Sequence, residues 1–202
     1  MKVEQFVMAY EAEQDRIRAI LPEGFCSLRP VLRINAEIRT NEEKLQEGER
    51  VYIELNTPVE SCGKKGWLNI GYWESPETEI SYRREGKATV FSAPFLRITY
   101  TGVGIEGGCP AEKDNEGCFF PAGPKRFVAA EEIKQNKEFC NCRFKWKFSE
   151  ESAGGVSTDG KSIPALWTKP EKQYARQEFS PQNAAAIPCV QVLGAYKVEF
   201  ER

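Results

Sequence analysis

The stretch Pro30-Val31-Leu32-Arg33-Ile34-Asn35-Ala36-Glu37-Ile38-Arg39 decides the fold. Leu32, Ile34, Ala36 and Ile38 alternate with Arg33, Asn35, Glu37 and Arg39, and a period of two sends successive side chains to opposite faces of a strand. The segment is therefore read as a half-buried β-strand with one apolar face. Its polar face either meets water or, in a closed sheet, lines an interior pocket.

Similar short runs follow: VYIELNTPVE (51–60), GWLNIGYW (66–73), TEISYRR (78–84), KATVFSA (87–93) and FLRITYTGVG (95–104). Gly, Pro or charged residues separate them, and β-branched and aromatic residues are dense. Upstream, Phe6–Tyr10 is a short strand that leads into EAEQDRIRAILPEGF (11–25). There Ile17, Ile20 and Leu21 share a helical face, the acids fall early, and Pro22 and Gly24 stop the helix. Downstream, CRFKWKF (142–148) and VQVLGAYKVEF (190–200) are further strands. In the former, Phe144, Trp146 and Phe148 form a core face opposite Arg143, Lys145 and Lys147, rather than a stacking platform for nucleic acid. FVAAEEIKQNKEF (127–139) is ambiguous between helix and strand, and ESAGGVSTDGKS (151–162) reads as a turn-rich connection. The pattern is mainly β with short helices, in curled antiparallel sheets.

The 202 residues suit one domain, spanning 1–202, with a glycine- and proline-rich excursion or lid at about 105–124. The net charge of −2 is well mixed and offers no basic footprint for nucleic acid. No apolar run approaches the roughly 20 residues that cross a bilayer. The acid-interrupted opening does not read as a signal peptide, so a soluble cytoplasmic protein is expected. Seven cysteines are an odd number and read as free thiols. The spacing of Cys109, Cys118, Cys140 and Cys142 matches no recognised zinc motif.

The chain contains no histidine. Ser-His-Asp and Cys-His nucleophile systems are thereby excluded, as are imidazole metal sites. Covalent chemistry falls to lysine, carboxylate, tyrosine or cysteine. Lys64 and Lys65 are adjacent, within ESCGKKGWLNIG (60–71). An ordinary lysine is almost wholly protonated at neutral pH, but burial or a second ammonium lowers its pKa and frees the amine to attack a ketone. The imine so formed is an electron sink for decarboxylation. A solvated turn is the competing reading of the same residues.

Several segments together resemble the acetoacetate decarboxylase family. FVMAYEAEQDRIRAILPEG (6–24) is similar to that family's early strand and helix, with an Asp-x-apolar-Arg pattern and a Pro-Glu exit. VLRINAEI (31–38), Glu60–Gly66, YRREGKATVFSAPFLRITYTG (82–102), Ala165–Pro170 and VLGAYKVEF (192–200) follow in similar order. The resemblance implies an incomplete double-sheet or cone-shaped β-barrel around a cavity, no cofactor, and a homo-oligomer. It implies Lys64 as the imine-forming residue and Lys65 as its electrostatic neighbour, roles that a one-residue shift would exchange.

Departures accompany the match. A family arginine falls near Val3 or Glu4, and a family glutamate meets Asn35, with Glu37 on the same face as a substitute. A second glutamate falls near Glu47 and Glu49, while Glu60 is similar to another family acid. The candidate catalytic set is Lys64, Lys65, Glu60 and Glu37, with Asn35 and Trp67 on the substrate and no metal. The expected activity is a Schiff-base lyase acting on a small β-keto acid. A non-catalytic binder of a small carbonyl compound or organic acid, or an imine-based aldolase or dehydratase, stands beside it.

Overall fold

The computed structural model describes residues 1–41, 48–110, 118–120, 128–129, 136–148, 153–156 and 174–202. In chain order the elements are β1 (Lys2–Glu11), α1 (Gln14–Ile20), β2 (Cys26–Ser27), β3 (Val31–Thr40), β4 (Glu49–Ser61), β5 (Lys64–Glu74), β6 (Ser81–Glu85) and β7 (Ala88–Ala93). They continue as β8 (Leu96–Thr101), β9 (Cys118–Phe120), β10 (Val128–Ala129), β11 (Glu138–Phe139), β12 (Asn141–Trp146), β13 (Ala153–Val156), α2 (Pro181–Ala185) and β14 (Gln191–Glu201).

These strands make two sheets. The larger runs β10-β9-β5-β4-β3-β1-β14-β11, with β2 also paired to β4; the smaller runs β13-β12-β8-β7-β6. All pairings are antiparallel except that between β5 and β9. The expected barrel or cone is not what forms. Closure needs the first and last strands of a sheet to pair, whereas each sheet here ends in two different edge strands and neither curls onto itself. The apolar interior is sealed by packing one open sheet on the other.

The alternation in β3 explains that packing. Leu32, Ile34, Ala36 and Ile38 are buried in one cluster with Phe91, Leu96, Ile98, Tyr100, Phe144 and Trp146 of the smaller sheet. Aromatic contacts stitch the layers: Phe6 meets Phe91 edge-on at 5.5 Å, and Tyr10 stacks on Phe144 at 4.8 Å. The Trp146 indole donates to the Tyr10 hydroxyl at 3.1 Å.

Other expectations meet corrections. Strand β1 is ten residues long rather than the short Phe6–Tyr10. Ala153–Val156, read as a connection, pairs with β12 as an edge strand. The ambiguous 127–139 segment supplies β10 and β11, and its middle lies outside the described residues, as do Ala165–Pro170. Helix α1 forms as expected and its backbone turns extended at Leu21, just before Pro22. Among the described residues, no helix is long and apolar enough to cross a membrane.

Candidate functional site

The polar face of β3 is not half-buried. Arg33, Asn35 and Glu37 are each almost fully buried, so both faces of this strand lie inside the protein. A polar face under cover must be matched group by group, because a buried polar atom without a partner is costly. The neighbouring strands supply part of the match. Register sets Arg33 opposite Asn56, Asn35 opposite Glu54 and Glu37 opposite Tyr52 on β4. It also sets Gln5 of β1 opposite Glu37, and Trp67 of β5 opposite Pro58.

Glu37 is closely held. Gln5 Nε2 donates to its Oε1 at 2.8 Å, Arg39 Nε donates to its Oε2 at 2.7 Å, and Arg202 NH1 lies 3.6 Å from the same oxygen. Arg39 also lies 3.4 Å from the Tyr52 ring centroid. This end of the face is a structural clamp. It opens on a surface cavity of about 240 Å³ lined by Met1, Arg39, Asn41, Gly48, Arg50 and Tyr52.

The middle of the face is less completely matched. Asn35 Nδ2 donates to Glu54 Oε2 at a long 3.5 Å. Part of the Glu54 side chain reaches the surface, yet burial is the leading cause that raises its pKa, with the negative charge of Glu37 adding to it. Arg33, the Asn56 amide and Arg39 pull it back without cancelling the rise. The Arg33 guanidinium lies 4.0 Å from the centroid of the fully buried Trp67 ring. Asn35 Oδ1, both polar atoms of Asn56 and the Trp67 indole nitrogen are buried with no hydrogen-bond partner of normal geometry among the described residues.

A strap crosses one flank of this face. A Cβ added to Gly194 would stand 2.5 Å from the Gly108 carbonyl oxygen, so the strap rests directly on β14. Its Cys109 packs against the cluster of Ala9, Val31, Trp67 and Leu193. The beginning of the glycine-rich excursion therefore lies over the sheet, and most of its remainder lies outside the described residues.

The lysines stand elsewhere. Lys64 and Lys65 are exposed where β5 leaves its hairpin, and Glu60 is only partly buried. Cys62 and Gly63 form the two-residue turn with φ of 51° and 73°, the positive pair that a tight type I′ hairpin requires. Lys65 pairs with Glu60 and Lys64 with Ser61. Alternation from Trp67 then puts Lys65 on the side of the polar face and Lys64 on the other.

The structure thus puts Asn35, Glu37 and Trp67 of the expected set on one buried face, with Glu37 held in the clamp at its far end, and places Lys64, Lys65 and Glu60 at the hairpin end. Sequence reasoning missed Arg33, Glu54 and Asn56 as site residues. Their signal was present: Glu54 and Asn56 alternate with Ile53 and Leu55 as the β3 polar residues alternate with theirs. Among the described residues no acidic and cysteine cluster could hold a metal. Burial pushes the Cys140 thiol up to about 12, and Cys142 beside it is raised by the same cause, which makes both poor nucleophiles.

No protein-family profile matches the chain, and no curated protein matches it. Solved structures do. An acetoacetate decarboxylase from Legionella pneumophila subsp. pneumophila str. Philadelphia 1 superposes with a TM-score of 0.51 at 14% identity, covering 98% of this chain and 81% of that one. The enduracididine biosynthesis enzyme MppR complexed with pyruvate gives 0.50 at 13% identity, over 98% and 84% of the two chains. A further acetoacetate decarboxylase structure gives 0.50, 13%, 98% and 84%. At such low identity and near-complete coverage the likeness is one of fold alone: the chain shares the overall fold of these structures.

Proposed function

We propose that the chain holds a small organic acid, a keto acid or a close relative, on the buried polar face of its larger sheet. One observation carries this reading: a buried guanidinium, Arg33, stands on the same face as Glu54, a carboxyl group with raised proton affinity. Arginine presents a planar fork that matches a carboxylate, and its stack on Trp67 fixes the plane of that fork. A carboxyl group raised toward neutrality is suited to give a proton to a carbonyl oxygen and take it back. The fold relatives, two of them acetoacetate decarboxylases and one holding pyruvate, support the same class of ligand. Calorimetric titration with 2-oxobutyrate tests the reading. Saturable binding that is lost in Arg33→Met supports it, and equal binding by the variant contradicts it.

A second reading, a Schiff-base lyase, is favoured by the register of the hairpin. Lys65 stands opposite Glu60 and two residues from Trp67 on the site's side of β5. In that chemistry the amine nitrogen adds to a ketone, water leaves, and the iminium accepts the electron pair released with carbon dioxide. The imine is itself the electron sink, so no added cofactor is called for. Borohydride trapping with acetoacetate, followed by mass mapping, separates Lys65 from Lys64. An adduct on neither lysine removes this reading and leaves the binding site standing.

A further inference from the structure

The unmatched atoms of the site describe their ligand more narrowly than the guanidinium does. A buried indole N–H can only donate, an amide donates from nitrogen and accepts at oxygen, and a ketone or carboxylate can only accept. Asn56 is wholly buried, and although its amide acts on the Glu54 carboxyl, neither Nδ2 nor Oδ1 makes a hydrogen bond of normal geometry among the described residues. The Trp67 indole nitrogen is in the same condition. Asn35 directs its Nδ2 to Glu54 and leaves Oδ1 over. Among these atoms two donors and two acceptors are thus buried on one face without a well-formed hydrogen bond.

A keto acid answers only half of that demand. Its oxygens can take the Trp67 and Asn56 N–H groups, but nothing on it can give a hydrogen bond to Asn56 Oδ1 or Asn35 Oδ1. Exchanging the oxygen and nitrogen of either amide does not remove the mismatch, because a turned Asn56 still presents one donor and one acceptor. The atoms are also close enough for one small molecule. Asn56 is the cross-strand partner of Arg33 and of Asn69, while Asn35 faces Glu54, two residues before Asn56 on the same face. Diagonal neighbours of this kind lie about 7–8 Å apart, a span that a compound of about six heavy atoms bridges.

Resting on the organic-acid reading above, we infer that the compound held here is a hydroxy acid. Its carboxylate meets Arg33, and its hydroxyl, with a single proton to give, donates to one of the two amide oxygens, Asn35 Oδ1 or Asn56 Oδ1, while accepting from a neighbouring N–H. A site built to bond a hydroxyl rejects the analogue that lacks its proton, because a buried acceptor is then left bare.

Calorimetric titration of the full chain with two matched pairs tests the inference: 3-hydroxybutyrate against acetoacetate, and 2-hydroxybutyrate against 2-oxobutyrate. The hydroxy acid is expected to bind at least about tenfold tighter in one pair. That preference should shrink to about twofold or less in Asn56→Leu, which keeps the volume and removes the amide. Trp67→Phe removes a donor and part of the ring beneath Arg33 but no acceptor, so it should weaken both members of a pair and leave their ratio unchanged. Keto acids that bind as tightly as their hydroxy partners overturn the hydroxy-acid assignment while leaving the organic-acid site intact. That is the outcome if ordered water satisfies the two amides. Failure of all four acids to bind at millimolar concentration overturns both. The wild-type ratio decides the point even if Asn56→Leu does not fold.

Discussion

Arg33 and Trp67 belong to strands that do not touch, yet the guanidinium of one lies 4.0 Å from the ring centroid of the other. The intervening strand is β4, and Asn56 is the residue of β4 that pairs with Arg33. The stack therefore reaches over a buried, unmatched amide and defines the plane in which a carboxylate would be met. A lysine would keep the charge but lose both the planar stack and the two-pronged donor geometry. Arg33→Lys is accordingly expected to weaken 2-oxobutyrate binding by about tenfold, the loss of a desolvated cation–π contact of roughly 1–2 kcal/mol. Calorimetry checks this, and an unchanged affinity would mean that the ring does not orient the guanidinium.

Glu54 gives a pH dependence of definite sign. Its folded pKa is raised, chiefly by burial, so the folded chain holds the proton more firmly than the unfolded chain does. The stability that this contributes is fully present below the unfolded value, about 4.3, and is lost as pH rises through the folded value. Glu54→Gln, neutral at every pH, should therefore be more stable than the wild type at pH 7. The gap should close on acidification toward about pH 4. Urea midpoints measured across that range test it, and a wild type that gains on the variant as pH rises would contradict the burial account.

Much of this arrangement was legible in the sequence. The period of two in Leu32–Arg39 identified the strand and its apolar side, and Phe144, Trp146 and Phe148 were correctly assigned to a core face: Phe144 and Trp146 are buried, and Phe148 packs against them. What period cannot report is whether a polar face is covered, because that depends on segments far away in the chain. Arg33 and Asn35 therefore read equally well as a wet surface until the layers are in place. The lysine pair is a different case. Adjacent residues on a strand face opposite ways, and a tight turn at Cys62 and Gly63 holds both at an exposed end, so identity and adjacency did not imply enclosure. Closure into a barrel was equally out of reach, since it depends on pairing between strands at opposite ends of a sheet.

The seam between the sheets carries buried polar contacts among many apolar ones. Trp146 donates to the hydroxyl of Tyr10, whose phenol is raised well above its ordinary range by burial. Tyr10→Phe leaves the indole N–H without its acceptor. A loss of about 1–3 kcal/mol in unfolding free energy is expected, measured by chemical denaturation. A neutral result would show that the indole finds another partner.

The strap over β14 depends on a missing side chain. At Gly194 an added methyl would meet the Gly108 carbonyl oxygen at 2.5 Å and the Cys109 Cα at 2.8 Å, both backbone atoms. Gly194→Ala should cost about 1–3 kcal/mol through overpacking and should raise the reactivity of the Cys109 thiol as the strap lifts. Alkylation rates followed by mass spectrometry test the second effect, and an unchanged rate at Cys109 would mean that the strand yields instead of the strap.

The central claim, that a small organic acid sits on the buried polar face, is tested most directly at the Trp67 indole. The chain has four tryptophans, so its indole N–H resonances are few, and Trp67→Phe assigns the relevant one. On saturation with 2-oxobutyrate or 2-hydroxybutyrate, the Trp67 resonance should move strongly with a single binding curve while that of Trp146, hydrogen-bonded between the sheets, stays in place. Saturable binding that leaves the Trp67 resonance unmoved would put the ligand elsewhere and contradict the account.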